Sequence, residues 1–200
     1  MTLRLASIVE GHGDVKAVPV LLRRLAARSF PGTGFEILHP IRIPRSRLLK
    51  PGEIEKAVDL AGRQVQYSGG IVVLVDAEDD CPAELGPKLL ARARSARPDI
   101  ALSLVLAKRE FESWFLAAAR SLQGKRALPA DLEPPPHPES IGGAKEWLSD
   151  RMPSGRKYVE TLDQPALTAV FDMEQASVGS ASFARCLREI GNMLSAIGPK

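Results

Sequence analysis

The sequence predicts an α/β fold: a parallel sheet of about four strands with helices on both faces, in three layers. Three observations carry the prediction. Apolar runs of strand length recur at residues 3–9, 71–75 and 101–107. Segments with apolar residues at helical spacing alternate with them. Strands that alternate with helices are joined by crossovers, which makes them parallel and covers both faces of the sheet.

In chain order, residues 3–9 read as the first strand and Glu10-Gly-His-Gly-Asp14 as the turn after it. Val15, Val18, Leu21, Leu22, Leu25 and Ala26 then mark a helix. Pro19 either lies in the first turn of a helix starting near Val18 or kinks a longer one. Residues 35–43 offer a second strand, with Pro40 arguing for an edge position or a break. A helix opens at Pro51-Gly-Glu53 and carries Ile54, Val58, Ala61 and Val65.

Gly69-Gly70 leads into Ile71-Val-Val-Leu-Val75, a run buried on both faces that belongs in the interior of the sheet. Residues 82–97 form the next helix, closed by Pro98, and residues 101–107 the next strand. Phe111, Trp114, Phe115, Ala118 and Leu122 give the apolar face of a further helix.

Five prolines between residues 127 and 138 read as an extended, solvated connection. Helices are then expected at 144–152, 165–175 and 182–197, with Asp163 or Ser182 as a cap. The chain thus divides into an α/β core at 1–126, a connection at 127–141 and a helical extension at 142–200 packed on that core.

The chain has 200 residues, of which 44% are hydrophobic, enough for an ordered core. No apolar run approaches the ~20 residues that span a bilayer, and the first residues lack a signal-peptide layout. Cys81 and Cys186 are too few and too far apart for a metal motif, which points to a reducing, cytoplasmic setting. His12, His39 and His137 give no zinc spacing. Net charge is only +3, from 27 basic and 24 acidic residues. The basic residues cluster, however: Arg42, Arg45, Arg47 and Lys50; Arg92, Arg94 and Arg97; Arg151, Arg156 and Lys157. Basic patches around an acidic centre suit a phosphodiester substrate, and equally describe solvated helix faces.

Acidic residues gather after each buried strand. Glu10 and Asp14 follow the first, Asp76, Glu78, Asp79 and Asp80 the central one, and Glu110 and Glu112 the one ending at Ala107. Parallel strands deliver these turns to one edge, where α/β folds bind ligands. Convergent carboxylates repel unless they share a cation. Hard oxygen donors suit Mg²⁺ or Mn²⁺, and two such ions about 4 Å apart clamp both oxygens of a phosphoryl transfer. Glu112 is preferred to Glu110 as a ligand. Gly11 and Gly13 let backbone approach an anion, and Lys108 and Arg109 offer charge for a phosphate. Plainer roles stand beside these: turn glycines, Asp14 as a helix cap, Glu110 and Glu112 as first-turn acids.

The stretches Ile8-Val-Glu-Gly-His-Gly-Asp14 and Leu74-Val-Asp-Ala-Glu-Asp-Asp80 resemble the first two motifs of the Toprim domain, found in topoisomerases, primases and overcoming-lysogenization-defect nucleases. Arg109-Glu-Phe-Glu-Ser-Trp-Phe115 is similar to a third block in a Toprim-like family of unknown function, and Lys157-Tyr158, Leu162-Asp-Gln164 and Ser182-Phe183 fit it as well. The resemblance implies a Rossmannoid core with Glu10 as general acid/base or metal ligand, and Asp76 and Glu78 holding Mg²⁺. The chain departs from Asp-x-Asp by reading Asp76-Ala-Glu78, so Asp80 replaces or joins Glu78.

Two functions follow as expectations. One is a Mg²⁺-dependent nuclease or phosphodiesterase acting on nucleic acid, with or without an ATPase partner. The other is a non-catalytic Toprim-like subunit of an ATPase complex. No Walker-type Gly-Lys-Ser/Thr run is present, so ATP hydrolysis would belong to another chain. An aspartyl-phosphate phosphatase fits less well, because Glu10 stands where its nucleophile would be.

Overall fold

A computed structural model describes residues 2–66 and 69–198. Met1, Tyr67, Ser68, Pro199 and Lys200, which include the outer ends of the first and last expected units, lie outside the described residues. The fold is α/β, with a parallel sheet of five strands flanked by helices: β1 (Leu3–Val9), β2 (Phe35–Ile37), β3 (Ile41–Arg42), β4 (Gly69–Asp76) and β5 (Ala101–Ala107). The order is β2-β1-β4-β5, with β3 also on β1, and every strand pairing is parallel. β4 is interior, as its run of β-branched residues predicts. Residues 35–43 lie at the edge, split by a break that includes Pro40 into two short strands. That split makes five strands of the expected four.

Period-2 alternation sorts β4 between two cores. Ile71, Val73 and Val75 pack with Ile54, Val58 and Ala61 of α3 (Glu53–Val65) and with Leu89 and Ala93 of α4 (Pro82–Ala96). Val72 and Leu74 pack with Leu21 and Leu22 of α1 (Asp14–Ser29) and with Ile190 and Leu194 of α9 (Ala181–Ile197). A short helix, α2 (Arg45–Leu48), precedes α3. Gly69 permits the β1–β4 approach, since a Cβ there would stand 2.1 Å from the Arg4 carbonyl oxygen.

Four local expectations need correction. α1 starts at Asp14 and runs through the buried Pro19, so the start near Val18 is wrong. The helix expected over 111–122 is α5 (Ser113–Ala117) followed by a 3-10 turn at Ala119–Leu122. Its residues are buried all round, so no single amphipathic stripe sets a long helix. The helix expected over 165–175 is two, α7 (Glu160–Thr168) and α8 (Met173–Gly179). The Asp172 carboxylate accepts from the amides of Glu174 and Gln175 and so begins a new helix. The other cap is Ser180, which accepts from Phe183 at the start of α9, rather than Ser182. α6 (Ala144–Ser149) falls where a helix was expected.

The proline-rich stretch is anchored rather than solvated, because Leu128, Leu132 and Pro138 are buried. The C-terminal helices complete the core on the α1 side of the sheet. Phe111, Trp114, Phe115, Phe171 and Phe183 meet at centroid separations of 4.7–5.6 Å. Ser182 Oγ accepts from the Trp114 indole at 2.9 Å and the Lys108 amide at 3.1 Å, tying α9 to the end of β5. Among the described residues no helix is long and apolar enough to cross a membrane.

Candidate functional site

The turns after β1, β4 and β5 open on one carboxyl edge, as parallel strands require. The β4 and β5 turns stack: Ala77 N donates to Ala107 O at 2.8 Å and Glu78 N to Arg109 O at 2.9 Å. This pairing holds Glu78 at φ 49°, a left-handed conformation uncommon for a non-glycine residue. Beneath these turns lies a cleft of about 410 Å³ lined by Glu10, Asp14, Asp76, Glu112 and Lys145, among others.

A relay of hydrogen bonds links the carboxylates to neighbouring strands. The Asp76 amide donates to Glu10 Oε1 at 3.2 Å, and Asp76 Oδ1 accepts from the Phe111 amide at 2.9 Å. Asp14 closes the first turn by accepting from the Gly11 amide at 2.9 Å and from Gln164 Nε2 at 2.8 Å. Glu112, at the start of α5 and 1% exposed, accepts from the Tyr158 hydroxyl at 2.9 Å. Glu10 Oε2 and Glu112 Oε2 are buried with no hydrogen-bond partner among the described residues.

Crowding and burial shift these groups toward their protonated forms. Burial, with help from Asp14 and Glu78, pushes the Glu10 carboxyl up to about 7 against the pull of the Asp76 amide and Arg45. Burial pushes Glu112 up to about 8 although Lys145 and Tyr158 oppose it. Asp76 is raised well above the usual carboxylate range by burial and then by Asp14, Glu112 and Glu10 together. Asp14 is raised by burial and by Glu160. One ammonium answers them. Burial alone would lower Lys145, but Glu112, Glu160 and Asp76 outweigh it and raise it, so it stays charged. Lys145 Nζ donates to Glu160 Oε2 at 3.2 Å, and Glu160 Oε1 accepts from the Gly13 amide at 3.0 Å.

The sequence-predicted residues divide. Glu10, Asp76 and Glu112 line the cleft together. Glu78 also reaches its wall, but its side chain is 62% exposed and pairs with Arg45 at 3.3 Å. Asp80 pairs with Arg45 too, outside the carboxylate relay. Glu110 accepts from the amides of Gly143 and Ala144 at 3.1 and 3.0 Å, holding the start of α6, and of that pair it is Glu112 that lines the cleft. The anion-cradle expectation for Gly11 and Gly13 meets an obstacle: both amides already donate to carboxylates, of Asp14 and Glu160. The glycines answer instead to close packing against α7, since a Cβ on Gly13 would stand 1.9 Å from Gln164 Oε1. Arg109 pairs with Asp79 at 3.1 Å in a neighbouring hollow that shares Asp76, Glu78 and Lys145 with the cleft. Lys108 is half-buried, and its described bond is the backbone one to Ser182.

Only the first basic cluster reaches the cleft, through Arg42 and Arg45. Arg45 donates to the carbonyls of Asp76 and Ala77, clasping the end of β4. Arg92 joins Glu55 and the Leu49 carbonyl, and Arg156 joins the buried Asp163, so these serve packing. Sequence reasoning missed Lys145, Glu160 and the cleft role of Gln164. The i, i+4 spacing of Glu160 and Gln164, which puts both on one face of α7, was a usable signal. Lys145 had none beyond its place two residues after Gly143.

The donor set is all oxygen, which suits a hard divalent cation, and the unpartnered oxygens of Glu10 and Glu112 leave room in its valence for one. Among the described residues no group of three or more His, Cys, Asp or Glu side chains stands as a formed ligand cage. The residues therefore fit Mg²⁺ or Mn²⁺ in chemistry and charge, with side-chain adjustment needed to close around it. Comparison of the chain with family models, curated proteins and solved structures returns no match.

Proposed function

We propose that this chain is a Mg²⁺- or Mn²⁺-dependent phosphodiester-cleaving enzyme acting on nucleic acid, alone or with an ATPase partner. The observation that carries the reading is the convergence of four carboxylates from three strand ends, destabilised as anions and facing one lysine. A site with that much latent repulsion is suited to a divalent ion. Asp76 and Glu112 would hold it, with the unpartnered oxygen of Glu10 beside it and Glu78 within reach of the cleft wall. Bound there, the ion would stabilise negative charge on the oxygens of the reacting phosphate.

The protein groups take the remaining roles. Glu10, which lines the cleft with one unpartnered carboxylate oxygen, accepts the proton from an attacking water. Water oxygen bonds to phosphorus as the bond to the leaving oxygen breaks, and that oxygen takes its proton from solvent. Lys145 holds its proton too firmly to be that donor and acts as a fixed counter-charge to the phosphate. Arg42, exposed at the mouth of the cleft, is placed for a flanking phosphate.

A second reading is favoured by Arg45, whose pairing with Glu78 and Asp80 neutralises two acids at the rim. On that reading the chain is a non-catalytic Toprim-like subunit of an ATPase complex. The test is cleavage of DNA, RNA and nucleotides by purified protein with Mn²⁺, with Mg²⁺ and with EDTA. Metal-dependent products support the enzyme, and inertness on all three, even with the ATPase present, favours the subunit.

A further inference from the structure

We infer that Tyr158 is a positioning residue, whose hydroxyl holds Glu112 Oε1 so that Oε2 is left for a divalent cation in the cleft. The inference rests on the metal-site reading above and deepens it. Glu112 belongs to the turn after β5, whereas Tyr158 lies 46 residues later, in the segment between α6 and α7. The two meet across the interior, with Tyr158 9% exposed and Glu112 1% exposed. A buried carboxylate fixed at one oxygen and unpartnered at the other is half of a coordination arrangement.

The segment that carries Tyr158 is itself pinned on both sides. The Tyr158 amide donates to Ser149 Oγ at 3.1 Å, and Ser149 Oγ donates in turn to the Lys145 carbonyl at 2.8 Å. The next amide, of Val159, donates to Asp163 Oδ2 at 2.7 Å. Asp163 is fully buried and held by Arg126 at 2.9 Å and by Arg156. The phenol is thereby fixed relative to α6, which also supplies Lys145. Glu112 and Lys145 are oriented by one piece of backbone, so loss of the phenolic oxygen frees the carboxylate without removing a candidate ligand.

The test is Mn²⁺ titration by calorimetry on the full chain: wild type, Tyr158→Phe, Glu112→Gln and the double variant. Tyr158→Phe should weaken Mn²⁺ binding by about 10-fold or more, the usual effect of losing a partner of a ligating group. In the Glu112→Gln background the same change should have no further effect. Equal affinity of Tyr158→Phe and wild type, or a full additional loss in the double variant, overturns the inference and leaves the metal site standing. A wild type that binds no Mn²⁺ overturns both. Should Tyr158→Phe not fold, Ser149→Ala decides, because it loosens the backbone hold on Tyr158, at the cost of one bond to the Lys145 carbonyl, and leaves the phenol and Glu112 themselves intact. A weaker Mn²⁺ affinity is expected there, and an unchanged one overturns the inference.

Discussion

The backbone amide of Asp76 donates to Glu10 Oε1 across 3.2 Å, so the carboxylate that follows β1 clamps the end of β4. The bond joins residues 66 positions apart in the chain. It also keeps the two carboxylates close enough for the Glu10 charge to raise Asp76. Strand register, carboxylate crowding and the proposed ion site are one arrangement.

The Asp76→Asn substitution separates stability from function. The amide keeps the shape and can still accept from the Phe111 amide, while a buried group that is costly to ionise is removed. Nucleic-acid cleavage should fall by about two orders of magnitude or more, since a metal contributes several kcal/mol to the transition state. The thermal midpoint of metal-free protein at neutral pH should hold or rise, because repulsion from Asp14, Glu112 and Glu10 is relieved. Parallel melting and cleavage assays check both, and equal residual cleavage in the two proteins would expose a contaminating nuclease.

Metal-free protein should lose stability as pH rises from about 5.5 to about 8.5. Glu10 and Glu112 titrate at about 7 and about 8 when folded, against an ordinary value of 4.5. The folded state therefore holds these protons more tightly than the unfolded state. Their stabilising contribution is complete below 4.5 and lost as pH climbs through 7 and 8. Mn²⁺ should restore the midpoint more at the high end of the range than at the low end. A midpoint that climbs across this range without metal would contradict the assignment.

Gly13→Ala should destabilise the protein by about 1–3 kcal/mol, the scale for forcing an extra methyl into a packed site. The new Cβ would stand 1.9 Å from Gln164 Oε1 and 2.4 Å from Glu160 Cγ, so both side chains would have to give up their places against the turn. Urea unfolding gives the size of the effect. The paired control is Gly32→Ala, where nothing lies within 4 Å and only the φ of 82° opposes the change.

How much of this was legible depended on whether a residue's role is local. The interior position of β4 could be read because burial on both faces forces an unbroken β-branched run. The edge position of residues 35–43 could be read because Pro40 cannot donate to a ladder. Glu10 and Asp76 could be found because each stands at the end of a strand set by hydrophobic pattern, and Glu112 because it lies in the turn that follows such a strand. Lys145 could not, and Glu160 only through its i, i+4 spacing with Gln164, because both reach the cleft from helices whose docking rests on contacts far apart in sequence, as α7 on α1. The divided helix at 160–179 was missed because Asp172 restarts it through a cap that composition does not distinguish from a surface acid.

Lys145→Gln should separate the two kinds of positive charge the cleft can use. Wild-type Lys145 faces Glu112, Glu160 and Asp76, and it remains protonated because their attraction outweighs its burial. Its side chain is 37% exposed, so solvent screens the pair with Glu160, and loss of that pair should cost no more than about 1 kcal/mol. For a chain of this length that is a fall of about 2–4 °C in thermal midpoint. The fall should be larger at pH 8 than at pH 5.5, where Glu10 and Glu112 are largely protonated and repel little. Mn²⁺ affinity should rise, because a competing cation has been removed from among the carboxylates. Cleavage should nevertheless drop by about 10²–10³, the range for losing one preorganised charge stabiliser of the transition state. Tighter metal binding with slower cleavage is the signature of a residue that serves the phosphate. If Mn²⁺ affinity and cleavage fall together, Lys145 supports the ion site instead, and its role as counter-charge to the substrate is refuted.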